Sequence, residues 1–138
     1  MEHFVGHLAA ELPQKALIAQ NGKVLVVRHI DEDFWQLPGG RVHEEENSKD
    51  ALIREIYEEL SVRVEPHRIL DTFVLKTRSG KIYYVTVYAC KLLDEISQIK
   101  KEEEEIAEIL WVNKEEIKTL IFGTGYKEII EKFFQSTS

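Results

Sequence analysis

Gly39-Gly40-Arg41-Val42-His43-Glu44-Glu45-Glu46-Asn47-Ser48-Lys49-Asp50-Ala51-Leu52-Ile53-Arg54-Glu55-Ile56-Tyr57-Glu58-Glu59-Leu60-Ser61-Val62 joins a glycine turn to a helix rich in acid. Glu55, Glu58 and Glu59 stand at i, i+3 and i+4, positions that share one helix face and reach toward a common point. Glu46 waits in the loop just upstream. Carboxylates brought together repel one another, so the grouping makes physical sense around a hard divalent cation. Ligands that are all oxygen select Mg2+, Mn2+ or Ca2+ over zinc. Leu52, Ile53, Ile56 and Leu60 form an apolar stripe offset from these acids. One side of the helix therefore packs on a sheet while the neighbouring side presents carboxylates to a cleft.

Upstream, residues 15–19 and 23–29 are expected to be strands joined by Asn21-Gly22, a strong hairpin turn signal. Phe34-Trp35-Gln36-Leu37 reads as a short strand stopped by Pro38. Asn47 or Ser48 can cap the acidic helix, which runs to Leu60; Asp50 favours its N-terminus electrostatically. Beyond Pro66, residues 69–76 and 81–90 form a second expected hairpin turning at Ser79-Gly80, and 109–112 a further strand. Asn113 with Glu116 makes a capping box for a short helix. A final helix spans 125–134, with Tyr126, Ile129, Ile130, Phe133 and Phe134 at the spacing of a core or docking stripe. No repeat or linker interrupts this mixed α/β order, so residues 1–138 read as a single α+β domain.

Composition bounds the function. A chain with 43% hydrophobic and 31% charged residues is that of a soluble globular protein. Met1-Glu2-His3-Phe4 lacks the basic region and apolar core of a secretion signal, and Val24-Leu25-Val26-Val27 is strand-sized rather than membrane-spanning. Cys90 has no partner for an internal disulfide and reads as a buried thiol. A cytoplasmic location is the resulting expectation. The net charge of −7 argues against a nucleic-acid binder, which would show a basic face. It does not exclude a phosphate substrate, because a bound Mg2+ among the acids inverts the local field.

The segment resembles the signature box of the Nudix hydrolases, G-x5-E-x7-R-E-U-x-E-E-x-G-U with U a bulky aliphatic. Gly40, Glu46, Arg54-Glu55-Ile56, Glu58-Glu59 and Val62 fill the specified positions; Ser61 stands where the family has glycine. The resemblance implies an α/β/α sandwich around a mixed β-sheet. It also implies Mg2+-dependent hydrolysis, with Mn2+ a substitute, of a nucleoside diphosphate linked to another group X. Glu58 and Glu59 match the family's metal-binding pair, Glu55 a ligand or general base, Glu46 an accessory acid, and the Gly39 carbonyl a further ligand. Arg54 matches an arginine that orients the cluster. Family members often add an acid from the loop before a later strand. Glu102-Glu103-Glu104-Glu105 lies there, a run that also reads as a solvated stretch; Glu105 is chosen as metal ligand or base by its distance from Trp111, with its neighbours left open, while a change at Glu102 is expected to matter little.

Ser61 replaces a residue that commonly ends the helix in the left-handed conformation, His43 sits where many members carry an acid, and Glu45 where many carry glycine. No subfamily signature names the substrate. Leu37-Pro38-Gly39-Gly40 is of the general type seen in MutT-like members that act on nucleoside triphosphates. Trp35, Phe73, Tyr83 and Tyr84 are base-stacking candidates for which sheet core is the preferred reading. Arg28, Lys76, Arg78 and Lys81 are candidate phosphate contacts, most of them read as solvated. The partner so implied is a small nucleotide, with neither nucleic acid nor membrane. Homodimers are common in the family, and nothing in the sequence fixes the oligomeric state. The rival readings are a catalytically silent Nudix-type sensing or interaction module and, last, an acidic Ca2+-binding protein.

Overall fold

The computed structural model describes residues 6–137; the Met1–Phe4 segment lies outside them. Six strands and two helices follow one another as β1 (Pro13–Gln20), β2 (Lys23–His29), β3 (Gly39–Arg41), α1 (Ser48–Leu60), β4 (Val64–Lys76), β5 (Ile82–Leu92), β6 (Ile106–Val112) and α2 (Tyr126–Ser136). The sheet order is β4-β5-β1-β2-β6, with β3 added alongside β1. β1 and β5 run parallel and the other pairs antiparallel, so the sheet is mixed. β2 pairs with the Ala19–Gln20 end of β1, whereas β3 pairs with its Pro13–Lys15 end. The fork between them is where the chain builds its cleft.

Strand alternation sorts the core into two layers. Ala16, Ile18, Leu25 and Val27 face one side, under Leu52, Ile56 and Leu60 of α1. Leu17, Val24, Val26, Val85 and Val87 face the other, under Tyr126, Ile129 and Ile130 of α2. Each aliphatic side chain so buried contributes on the order of 2 kcal/mol. The result is the α/β/α sandwich expected from the resemblance.

α1 begins as its sequence dictates, with the Asn47 side chain accepting the Asp50 N–H at 2.9 Å. It ends at Ser61, which takes the left-handed conformation (φ 60°, ψ 24°) and donates its N–H to the Tyr57 carbonyl at 2.9 Å. The helix therefore stops as the family's glycine would stop it, with a β-carbon in place. Glu45, the other glycine position, also has positive φ (66°).

Several expected boundaries shift. Residues 34–37 do not form a strand: Gln36 bridges Val27 and Trp35 bridges Phe122, and the ladder on β1 is taken instead by β3 beyond Pro38. β4 starts at Val64 and passes through Pro66 with two register shifts. Proline is tolerated there because β4 is the sheet edge, where a missing N–H costs no ladder bond. β6 begins three residues early, at Ile106. The Asn113–Glu116 box forms reciprocally, at 2.8 and 3.0 Å, but caps only a 3-10 turn at Glu116–Thr119. The Asn21-Gly22 and Ser79-Gly80 turns and both main helices stand where expected. Cys90 is buried, and burial pushes its thiol up to about 12. Among the described residues no helix is long and apolar enough to cross a membrane.

Candidate active site

Arg54 organises the acids of the glycine-turn segment. Its guanidinium donates to Glu46 at 2.8 and 3.1 Å, to Glu55 at 3.0 Å, to Glu58 at 3.0 Å and to the Arg41 carbonyl at 3.0 Å. The Glu46 carboxyl also accepts the His43 N–H, and these two donors hold it down at about 2, Arg54 being the larger cause. One cation thus ties loop, β3 and α1 together through charge-assisted bonds.

Glu59, one position beyond Glu58, turns inward. Its side chain is 2% exposed and accepts the Gly39 N–H at 2.9 Å. Burial is the main cause that pushes its carboxyl up to about 7, against the attraction of Lys15. Gly40 lies against Glu55, and a β-carbon there would collide with the Glu55 carboxylate. The glycine pair is therefore explained by close approach: the backbone must pass directly over two acids. Gly39 adds a φ of 137° and would press any β-carbon into the Gln14 carbonyl.

A cleft of about 870 Å³ opens beside this loop, and Gly39, Gly40, Glu55, Glu59 and Glu105 line it. Glu105 is the member of its acidic run that faces the cleft. Desolvation raises its pKa first, followed by the charges of Glu102, Glu55 and Glu58. Its neighbours are otherwise engaged. Glu103 pairs with Lys101 at 2.8 Å, and Glu102 accepts the N–H groups of Glu104 and Glu105 at 3.0 and 2.9 Å. Glu102 thus shapes the turn that presents Glu105.

The side chains of the helix acids do not meet at a single point. Glu46 and Glu58 are drawn to Arg54 and do not line the cleft, and the Glu58 side chain is 55% exposed. Among the described residues no three of the His, Cys, Asp and Glu side chains close on one metal position as they stand. The donor set still suits a hard cation. It is all carboxylate and carbonyl oxygen, and the second Glu59 oxygen lies 3.9 Å from His29 Nε2. His29 is held down at about 4, mainly by burial and then by Lys15, so its imidazole is neutral near pH 7.

Lys15, His29, Glu32, Phe34 and Phe122 also line the cleft and were not singled out from the sequence. A charged residue opening an otherwise apolar strand was the one available signal for Lys15; the others meet only through tertiary structure. Of the stacking candidates, Tyr83 lines the cleft, Trp35 is core, and Phe73 packs edge-on against Tyr126 at 5.4 Å. Tyr84, expected in the core, is 41% exposed. It shares strand parity with Tyr88 and Cys90 but lies beyond the last residue that α1 covers. Arg28 is paired with Glu108 at 2.7 Å and Lys81 with Glu11 at 2.9 Å, while Lys76 and Arg78 are exposed; none of the four lines the cleft.

A mixed sheet between two helices, with a glycine turn laid over helix acids, defines a known class. The chain belongs to the NUDIX domain family, whose model matches residues 15–133. It is 25% identical over 101 residues to a MutT-like protein of Streptomyces ambofaciens, covering 73% of this chain and 62% of that one. It is 40% identical over 60 residues to an RNA pyrophosphohydrolase of Pseudomonas fluorescens (strain SBW25), covering 42% of this chain and 38% of that one. Among solved structures, a NUDIX hydrolase from Nitrosomonas europaea superposes with a TM-score of 0.80 at 20% identity, covering 93% of this chain and 90% of the other. This chain thus spans less than two thirds of the length of either sequence relative.

Proposed function

We propose that the protein is a divalent-metal-dependent pyrophosphohydrolase acting on a small nucleotide, a nucleoside diphosphate linked to X of which a nucleoside triphosphate is the leading case. The observation that carries this reading is the placement of Glu55, Glu59 and Glu105 around one cleft beside Gly39 and Gly40. Relatives named MutT-like protein and RNA pyrophosphohydrolase support it.

In this reading Glu55, Glu59 and Glu105 would hold Mg2+, with Mn2+ as substitute; the Gly39 carbonyl would add the lone pair that its bond from Lys15 leaves free, and Glu46 and Glu58 would supply further carboxylates from the Arg54 knot. The ion, when bound, neutralises phosphate oxygens and lowers the pKa of water. Arg54 keeps the acids in register. Glu55 or Glu105 accepts the proton of the attacking water at a carboxylate oxygen. Phe34, Phe122 and Tyr83 line the same cleft and suit the face of a base. The products are a nucleoside monophosphate and phosphorylated X, or pyrophosphate from a triphosphate. The cytoplasm, where such nucleotides are abundant, is the compartment that fits.

The test is turnover across nucleoside triphosphates, ADP-ribose, dinucleoside polyphosphates, nucleotide sugars and 5′-triphosphate RNA, with Mg2+ or Mn2+ and products resolved. Metal-dependent release of a monophosphate from one small nucleotide is the expected result, and it should be lost in Glu59→Gln and largely lost in Glu58→Gln while both variants stay folded. Binding without turnover would instead favour a silent sensing module. Cleavage of the RNA alone would move the substrate class.

A further inference from the structure

Lys15 is a cation that the fold has no packing reason to bury. It is 5% exposed, in the middle of a sheet whose next residues are Ala16, Leu17 and Ile18. Its ammonium donates to the Gln36 side-chain oxygen at 3.0 Å and to the Gly39 carbonyl at 3.2 Å. Both partners are neutral. Among the described residues no carboxylate lies within ion-pair distance of it; burial draws its pKa below the ordinary lysine value, and the fields of Glu59, Glu32 and Glu55 act against that and favour the charged form. Gln36 is itself fixed, its amide nitrogen donating to Glu32 at 2.8 Å. An ammonium has three donors, and two are spoken for.

Position gives the third a use. Lys15 lines the same cleft as Glu55, Glu59 and Glu105, and strand register sets it directly opposite Gly39. Burying a charge without a counter-ion is costly, and replacing such a charge by an apolar side chain of similar volume is often neutral or stabilising. A group kept in place against that cost, with an open donor at the floor of a cleft, is a candidate functional residue. The surrounding acids repel an anionic substrate. A fixed ammonium among them supplies attraction at one defined point.

We propose that Lys15 is a substrate-contacting residue that donates its remaining N–H to a phosphate oxygen of the pyrophosphate group. The inference rests on the pyrophosphohydrolase reading above and names a further residue for it. Lys15 binds the anion directly, in addition to the metal site, and its hydrogen bonds to Gln36 and Gly39 hold the ammonium in register with the glycine turn. Loss of the contact weakens anion binding without loosening the fold.

The experiment compares wild type, Lys15→Met and Lys118→Met, the last removing an equal charge from an exposed position away from the cleft. Imidodiphosphate, a non-hydrolysable pyrophosphate, is the calorimetric probe in Mg2+ and again in EDTA, with melting temperature and kcat and KM on the identified substrate as further readouts. Lys15→Met is expected to melt at the same or a higher temperature, to bind imidodiphosphate about tenfold more weakly or worse, and to lose kcat/KM. Lys118→Met should match wild type. Unchanged imidodiphosphate affinity in a folded Lys15→Met would overturn the assignment, as would a lower melting temperature accompanied by unchanged kcat and KM. Should Lys15→Met not fold, the Lys15 ε-methylene resonance of the wild type decides instead. A shift on adding imidodiphosphate supports the contact, and no shift at saturation removes it. If wild type neither binds the probe nor turns over any nucleotide, the pyrophosphohydrolase reading falls, and this inference with it.

Discussion

Ser61 and Glu59 show how single residues carry opposing demands. Ser61 holds a left-handed conformation that disfavours a β-carbon by about 1 kcal/mol, and nothing in the cleft depends on its side chain. Ser61→Gly is expected to raise stability by about that amount, read as a higher denaturation midpoint, with turnover unchanged. Glu59 and Glu46 give stability slopes of opposite sign against pH. Glu46, held down at about 2 by Arg54, contributes stability that is present above its ordinary 4.5 and lost as pH falls toward 2. Glu59, pushed up to about 7, contributes stability that is present below 4.5 and lost as pH rises through 7 in the absence of a cation. In EDTA, denaturation followed from pH 2 to 8 should therefore show a shallower acid limb for Glu46→Gln and a shallower neutral limb for Glu59→Gln. Cys90 is set apart from all this. With its thiol near 12, it should resist thiol reagents at pH 8 until the chain is unfolded, and rapid labelling of the native protein would contradict the burial described.

At the scale of elements, the β3–α1 unit is a single device. Gly40 has an ordinary backbone conformation, so its requirement for glycine comes from the Glu55 carboxylate and not from the turn itself. Gly40→Ala should leave the protein folded, displace Glu55 and reduce turnover at least about tenfold, a loss readable as kcat in the presence of saturating Mg2+. Retained kcat would show that Glu55 has room to move. The loop before β6 is the second device. Its backbone N–H groups at Lys100 and Glu102 donate to the Leu60 and Glu59 carbonyls at the end of α1, so the acids of helix and loop are registered on one another.

For the molecule as a whole, the proposed metal-dependent reading predicts a stability that responds to the ion. A ligand that binds only the folded state stabilises it by RT ln(1 + [L]/Kd), about 2.7 kcal/mol at a hundred times Kd. Mg2+ is therefore expected to raise the melting temperature of wild type in a concentration-dependent way and to do so far less in Glu59→Gln. Equal shifts in the two would place the ion elsewhere. Because the cleft sits in the fork of the sheet, between the strand that carries Lys15 and the helix that carries the acids, it is a property of the assembled layers and of no single element.

Much of this was written in local patterns. The Asn47 cap, the Asn21-Gly22 turn, the short apolar runs of β1 and β2 and the register of Arg54 with Glu55, Glu58 and Glu59 depend on neighbours a few residues apart, and such patterns are legible in one dimension. The glycine pair and the choice of Glu105 were legible only through spacing and resemblance, and their physical causes, the Glu55 collision and the turn held by Glu102, needed coordinates. Tertiary structure alone decided which acids enter the cleft. A shared helix face places Glu58 and Glu59 side by side, but Arg54 draws one outward and the Gly39 N–H draws the other in. It alone also joined Lys15, Gln36, Phe34 and Phe122 into one cavity, because contacts between residues far apart in sequence arise from how the layers pack, and no local period records them.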